Sequence, residues 1–89
     1  MKNNEKISQD KNLIVGENIQ RLRKERNLRN KDVVTQLQLR GVALSTSTLS
    51  KIERGNSNPT TQLLVALTDI FHCDFNAFFE GSKESHTEY

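Results

Sequence analysis

The 89-residue chain has no Trp, one Cys, and no apolar run longer than the five residues Leu63–Leu67. Each shortage excludes something. A membrane-spanning helix needs about 20 consecutive apolar residues. A secretory signal needs an apolar stretch of about 7–15. A single thiol, Cys73, builds neither an internal disulfide nor a multi-cysteine zinc site. No Gly-rich phosphate loop, HExxH pair or Cys/His cluster is present, so no enzymatic chemistry, cofactor, metal or small-molecule ligand is expected. These absences predict a soluble, cytoplasmic protein of one small domain.

What is present is uneven charge. Residues 1–59 hold 12 Lys/Arg and 6 Asp/Glu, whereas residues 60–89 hold 1 and 5. A basic first part and an acidic end suit an anionic partner on one face only. Ordinary surface charge is the bland alternative.

The patterning divides the chain into residues 1–11, a flexible basic arm, residues 12–80, the domain, and residues 81–89, a polar tail. Lys2, Lys6 and Lys11 in the arm either follow a nucleic-acid backbone or are simply solvated. Asn12 is the expected N-cap of a first helix with Val15, Ile19 and Leu22 as its apolar stripe, stopping near Asn27. A second helix is expected over 30–39, with Val33, Val34 and Leu37 inward and Gly41 at its end. Ser45 caps a third over 46–54, whose only apolar residues are Leu49 and Ile52, and Gly55 closes it. Thr60 caps a fourth reaching about His72, with Leu64, Leu67 and Phe71 as core and Leu63, Ala66 and Ile70 beside them. Asp74 caps a short fifth over 75–80. Five helices and no strand signal make an all-α domain.

Helices two and three carry the functional signal. A helix, a turn with Gly, and a short helix rich in Thr, Ser and cations is a helix-turn-helix pattern. In that motif the second helix of the pair enters the DNA major groove. Hydroxyls exchange hydrogen bonds with base edges, and the Thr methyl touches that of thymine. Lys51 reaches guanine or phosphate, and Arg54 holds the backbone.

The stretch Ser47-Thr48-Leu49-Ser50-Lys51-Ile52-Glu53-Arg54-Gly55, followed by Asn58-Pro59, resembles the phage repressor and Cro-type (lambda-repressor-like, XRE) helix-turn-helix proteins. Val15–Arg23 and Phe71–Phe79 look like the family's first helix and its last corner, so the resemblance spans Leu13 to Glu80. It implies a five-helix DNA-binding domain and a sequence-specific regulator of double-stranded DNA, with repression as the family's usual direction. By position it implies base contacts from Thr46, Ser47 and Lys51. Backbone contacts would come from Arg29, Asn30, Arg40, Thr48, Ser50, Arg54, Asn56 and Asn58, and a structural ion pair from Arg23 and Glu53. The chain departs from the family where Arg29 replaces the usual Ser before helix two and Thr46 replaces a frequent Arg. Its helix-two-to-three connection is also longer.

Leu63, Ile70, Phe75, Phe78 and Phe79 offer more apolar surface than one such domain is expected to bury. Either the arm covers it or a second subunit does, and a homodimer on an operator-like palindrome follows from the second choice. The alternative function is a protein-interaction module, of antitoxin or co-regulator type, docking a partner on that same surface. His72 is expected to close helix four rather than bind metal, Cys73 to be a buried thiol, and His86 to lie idle in the tail. The expected location is the bacterial or phage cytosol, associated with the nucleoid.

Overall fold

A computed structural model describes the backbone of residues 2–81 and the side chains of residues 12–81. Residues 82–89 of the expected tail, with His86, and the side chains of Lys2, Lys6 and Lys11 lie outside the described residues. Among the described residues four α-helices follow one another: α1 (Lys2–Glu25), α2 (Asn30–Leu39), α3 (Thr46–Glu53) and α4 (Thr61–Phe71). A 3₁₀ turn, Phe75–Phe79, ends the domain. No strand occurs among the described residues.

Two expectations need correction. Helix α1 is already helical at Lys2, so Asn12 stands inside it instead of capping it. Residues 2–11 contain no Gly or Pro, and once a helix exists each added residue gains a hydrogen bond without a new nucleation cost. The fifth helix is a 3₁₀ turn instead of an α-helix, and Asp74 makes no side-chain cap. Five residues cannot repay α-helix nucleation, while the tighter turn suits so short a piece.

The remaining boundaries follow local chemistry. Ser45 Oγ accepts from Thr48 N at 3.0 Å and Thr60 Oγ1 from Leu63 N at 3.1 Å, each relieving one unpaired amide of a helix start. Left-handed residues close the helices: Asn27 (φ 57°) after α1, Gly41 (82°) after α2, Gly55 (80°) after α3 and His72 (56°) after α4. The expected stops at Asn27, Gly41, Gly55 and His72 thus coincide with the reversals of the chain. Behind all four the backbone turns back on itself, Cys73 N donating to Thr68 O after α4. Leu28 N donates to Arg23 O, Val42 N to Leu37 O, and Asn56 N to Lys51 O. These bonds satisfy carbonyls the helix end leaves open.

The core gathers Val15, Ile19 and Leu22 of α1, Val33 and Leu37 of α2, and Leu49 and Ile52 of α3. Leu63, Ala66, Leu67 and Phe71 of α4 and Phe78 of the 3₁₀ turn complete it. In α4 the buried edge is Leu63, Ala66, Leu67 and Phe71, with Leu64 and Ile70 half-buried. The expected stripe of Leu64, Leu67 and Phe71 was displaced because α4 is apolar over a wide arc. Periodicity marks such an arc but not which edge meets the core.

Helix α1 crosses α3 at Gly16. A Cβ placed there would stand 2.2 Å from the Ile52 carbonyl oxygen and 2.7 Å from that of Glu53. The buried Asn18 fastens the other side of α1, donating from Nδ2 to the carbonyls of Phe78 and Glu80 at 2.8 Å each. Arg26 adds a bond from Nε to Phe71 O at 2.7 Å and lies over the Phe71 ring.

Gly16→Ala tests the crossing. Alanine is favoured over glycine within a helix by about 1 kcal/mol. The clash is with backbone, so no rotamer relieves it and the helices must separate. The net result should be a loss of about 2 kcal/mol, or roughly 10 °C in the midpoint of thermal unfolding by circular dichroism. An unchanged midpoint would contradict the crossing.

Candidate nucleic-acid interface

Helix α3 has two unlike sides. Leu49, Ile52 and Glu53 are buried, while Thr46, Ser47 and Lys51 are exposed and Thr48 and Ser50 half-buried. Arg54, its C-cap, is also exposed. Ser47, Lys51 and Arg54 stand at i, i+4 and i+7 and form one outward stripe.

The only acid of α3 is turned inward. Arg23 Nε donates to Glu53 Oε2 at 2.8 Å and Arg23 Nη2 to Glu53 Oε1 at 3.1 Å, a two-pronged pair. The side chains are 12% and 4% exposed. The third guanidinium nitrogen, Nη1, donates to Leu28 O at 3.0 Å. This pair ties α3 to α1 and keeps a carboxylate off the outer face, where it would repel phosphate.

The start of α2 borders α3. Arg29 is exposed and serves as N-cap, but a guanidinium has no acceptor, so it cannot cap amides as Ser does. The reciprocal half of a capping box is present instead: Arg29 N donates to Asp32 Oδ2 at 2.8 Å. That bond, together with the Arg29 guanidinium, holds the Asp32 carboxyl below its ordinary pKa. Asn30, expected at a phosphate, turns its amide onto α3, with Nδ2 donating to Ser50 Oγ at 3.0 Å and to Thr46 O at 3.3 Å.

Beyond α3 a polar groove separates the Arg54–Asn58 loop from Asn12 and Leu13 of α1. Asn56 and Asn58 are exposed here, and Asn12 Nδ2 donates to Asn58 Oδ1. Local pattern could not reveal that contact, since 46 residues separate the partners.

Other expected residues stand elsewhere. Arg40 is directed onto α4: Nε donates to Asp69 Oδ2 at 2.7 Å, and Nη1 to Gln36 Oε1 at 2.8 Å. Among the apolar residues expected on a partner surface, Leu63 and Phe78 are core, 3% and 0% exposed, and Ile70 is half-buried against the core. Leu63 belongs to the inward edge of α4, and the 3₁₀ turn rolls Phe78 beneath Phe75, edge to face at 6.4 Å. Phe75 and Phe79 remain on the surface at 44% and 43% exposure. Leu39 and Val65, also exposed, were not anticipated. Cys73 is half-buried, and burial raises its pKa.

The helix-turn-helix family model matches residues 19–78, which include both helices of the motif, the buried partner Glu53 and most of the final turn. The chain belongs to the phage repressor/Cro-type helix-turn-helix family. Neither the curated proteins nor the solved structures contain a match. Within this family the chain is a DNA-binding regulatory domain whose partner is double-stranded DNA, and such domains are generally not enzymes. No helix of the described residues is long and apolar enough to cross a membrane. The helix-turn-helix connection here, residues 40–45, exceeds the usual 3–4 residues of the motif.

Two measurements follow from these contacts. Glu53→Ala leaves the Arg23 guanidinium buried without its counter-ion, so stability should fall by about 3 kcal/mol in urea unfolding. Unchanged stability would show that the pair contributes nothing. A carboxyl with a depressed pKa, such as Asp32, stabilises the folded form above the ordinary carboxylate range. The contribution is lost as pH falls through the depressed value. The first amides of α2 should therefore lose protection, measured against the intrinsic exchange rate at each pH, as pH falls through the carboxylate range, and Asp32→Asn should flatten that dependence.

Proposed function

We propose that the protein is a sequence-specific transcriptional repressor, acting in the cytosol as a homodimer on a two-fold operator. One observation carries this reading. The outer face of α3 presents only hydroxyls and cations, because its single acid is buried against Arg23. Such a face can exchange hydrogen bonds with base edges without repelling the phosphates beside them.

In this reading α3 lies in the major groove with Thr46, Ser47 and Lys51 at the bases. Arg29, Thr48, Ser50, Arg54, Asn56 and Asn58 border it and meet the sugar-phosphate backbone. Arg40 does not join that set, because Asp69 and Gln36 already hold it. One short helix reads only a few base pairs, so a second copy related by a two-fold axis supplies the other half-site. Phe75, exposed at the 3₁₀ turn, lies on the face proposed for that pairing. Repression follows if the bound dimer occludes a promoter.

The decisive experiment is selection of random duplex DNA by the purified protein at about 150 mM salt, a condition that weakens purely electrostatic binding. The expected result is a two-fold motif with half-site centres about 10–11 base pairs apart or a multiple of that. Lys51→Ala should weaken binding to the enriched duplex roughly tenfold. Retention without a motif would overturn sequence specificity, and no retention would overturn the DNA-binding role.

A further inference from the structure

Charge is scarce where α2 ends beside α4. Residues 33–45, most of α2 and the connection after it, hold one charged side chain, Arg40, and α4 holds one, Asp69. The whole chain carries 13 Lys/Arg and 11 Asp/Glu in 89 residues, so these elements are depleted. They also bear the two most exposed large apolar side chains among the described residues, Leu39 at 75% and Val65 at 50%. Between the end of α2 and α4 lies a groove of about 400 Å³ with a mainly apolar lining, formed by Arg40, Val42, Gln62, Val65, Ala66 and Asp69. Few charges with exposed aliphatic groups is the composition of an interface centre, not of solvated surface.

We infer that this α2–α4 face is a contact between two copies of the chain, used when they stand on neighbouring DNA sites. The inference rests on the proposed function for its setting on DNA, but the contact itself belongs to the free protein.

Two observations favour a second copy as the occupant. The first is charge. Arg40 Nε donates to Asp69 Oδ2 and Nη1 to Gln36, whereas Arg40 Nη2 and Asp69 Oδ1 have no partner among the described residues. A two-fold axis sets residue i of one copy against j of the other, and j against i. It therefore brings the spare Arg40 donor of each copy to the spare Asp69 acceptor of the other. No other charge of residues 33–45 or of α4 opposes that approach.

The second observation is area. A stable interface removes about 800 Å² from each partner, some 20–30 residues. The six lining residues and Leu39 fall well short of that. So small a contact holds no free partner at micromolar concentration. It gains weight once DNA holds both copies close together, where the effective concentration is about millimolar. A contact with a Kd of about 0.1 mM is then invisible in dilute solution, yet favours joint occupancy of adjacent sites about tenfold. The face is also free for this use. Leu39 lies about 13 Å along α2 from Asn30, the residue that touches α3.

The test uses the full chain and duplexes carrying one or two copies of the operator enriched by selection. With the two sites a whole number of helical turns apart, joint occupancy should be favoured about tenfold over independent binding. Inserting about five base pairs, half a turn, should remove that gain. Val65→Glu puts a like charge on both copies and should cut the gain to about twofold or less, with single-site affinity and thermal midpoint unchanged. Leu39→Glu, at a more exposed position, should do the same. Cooperativity unaltered in both variants would overturn the contact. A fall in single-site affinity together with a lower sedimentation mass would make this face the pairing surface within one operator, which also overturns it. Without DNA, raising the protein from about 0.05 to about 1 mM should shift the amide resonances of Val42, Val65 and Ala66, and Val65→Glu should abolish that concentration dependence. Its absence in the unaltered protein would overturn the contact between copies and leave the face to a different protein. Should the protein retain no DNA, the regulator reading fails, and this last measurement alone decides the contact.

Discussion

The closeness of α1 to α3 at Gly16 governs the arrangement of everything else. Only a residue without Cβ lets the Ile52 and Glu53 carbonyls come so near the axis of α1. At that separation Arg23, two turns further along α1, reaches Glu53 with both prongs of its guanidinium. A wider spacing would leave both charges buried and imperfectly paired, which costs more than leaving them in water. Steric closeness and charge pairing therefore require each other.

Polar side chains perform much of the remaining fixing. Asn18 ties the 3₁₀ turn to α1, Arg26 ties the end of α4 to α1, and Asn30 ties α2 to α3. Each reaches backbone or a hydroxyl on another element, and such directional bonds define angle as well as distance. A domain of this size has a thin core, so apolar packing alone restrains its elements only loosely. Helix α3, with two apolar anchors, is the extreme case. That same thinness leaves most of its surface open for recognition.

Local chemistry made much of the fold legible. Ser45 and Thr60 are caps by their hydroxyls, and Gly41 and Gly55 are stops by their tolerance of positive φ. The α3 surface was legible too, because two apolar residues at i, i+3 leave only one way to orient so short a helix. The start of α1 was not, because Asn12 is chemically a good cap but nothing before it breaks the helix. The partners of Asn30 and Arg40 were not legible for a different reason. Their sequence positions suggested phosphate contacts, while their donors found Ser50 and Asp69, 20 and 29 residues away.

By itself the sequence determined the helical segments from residue 12 to α4, where they stop, and that α3 shows the solvent hydroxyls and cations. Those properties depend on neighbours within a few residues: caps, φ preferences and the 3.6-residue period. Tertiary structure alone decided which edge of α4 is core, that Phe78 is buried while Phe75 and Phe79 are exposed, and which long side chains are already engaged. Those outcomes depend on which atoms the folded chain brings within about 3 Å, and no local pattern specifies the partner of a side chain that can extend in several directions.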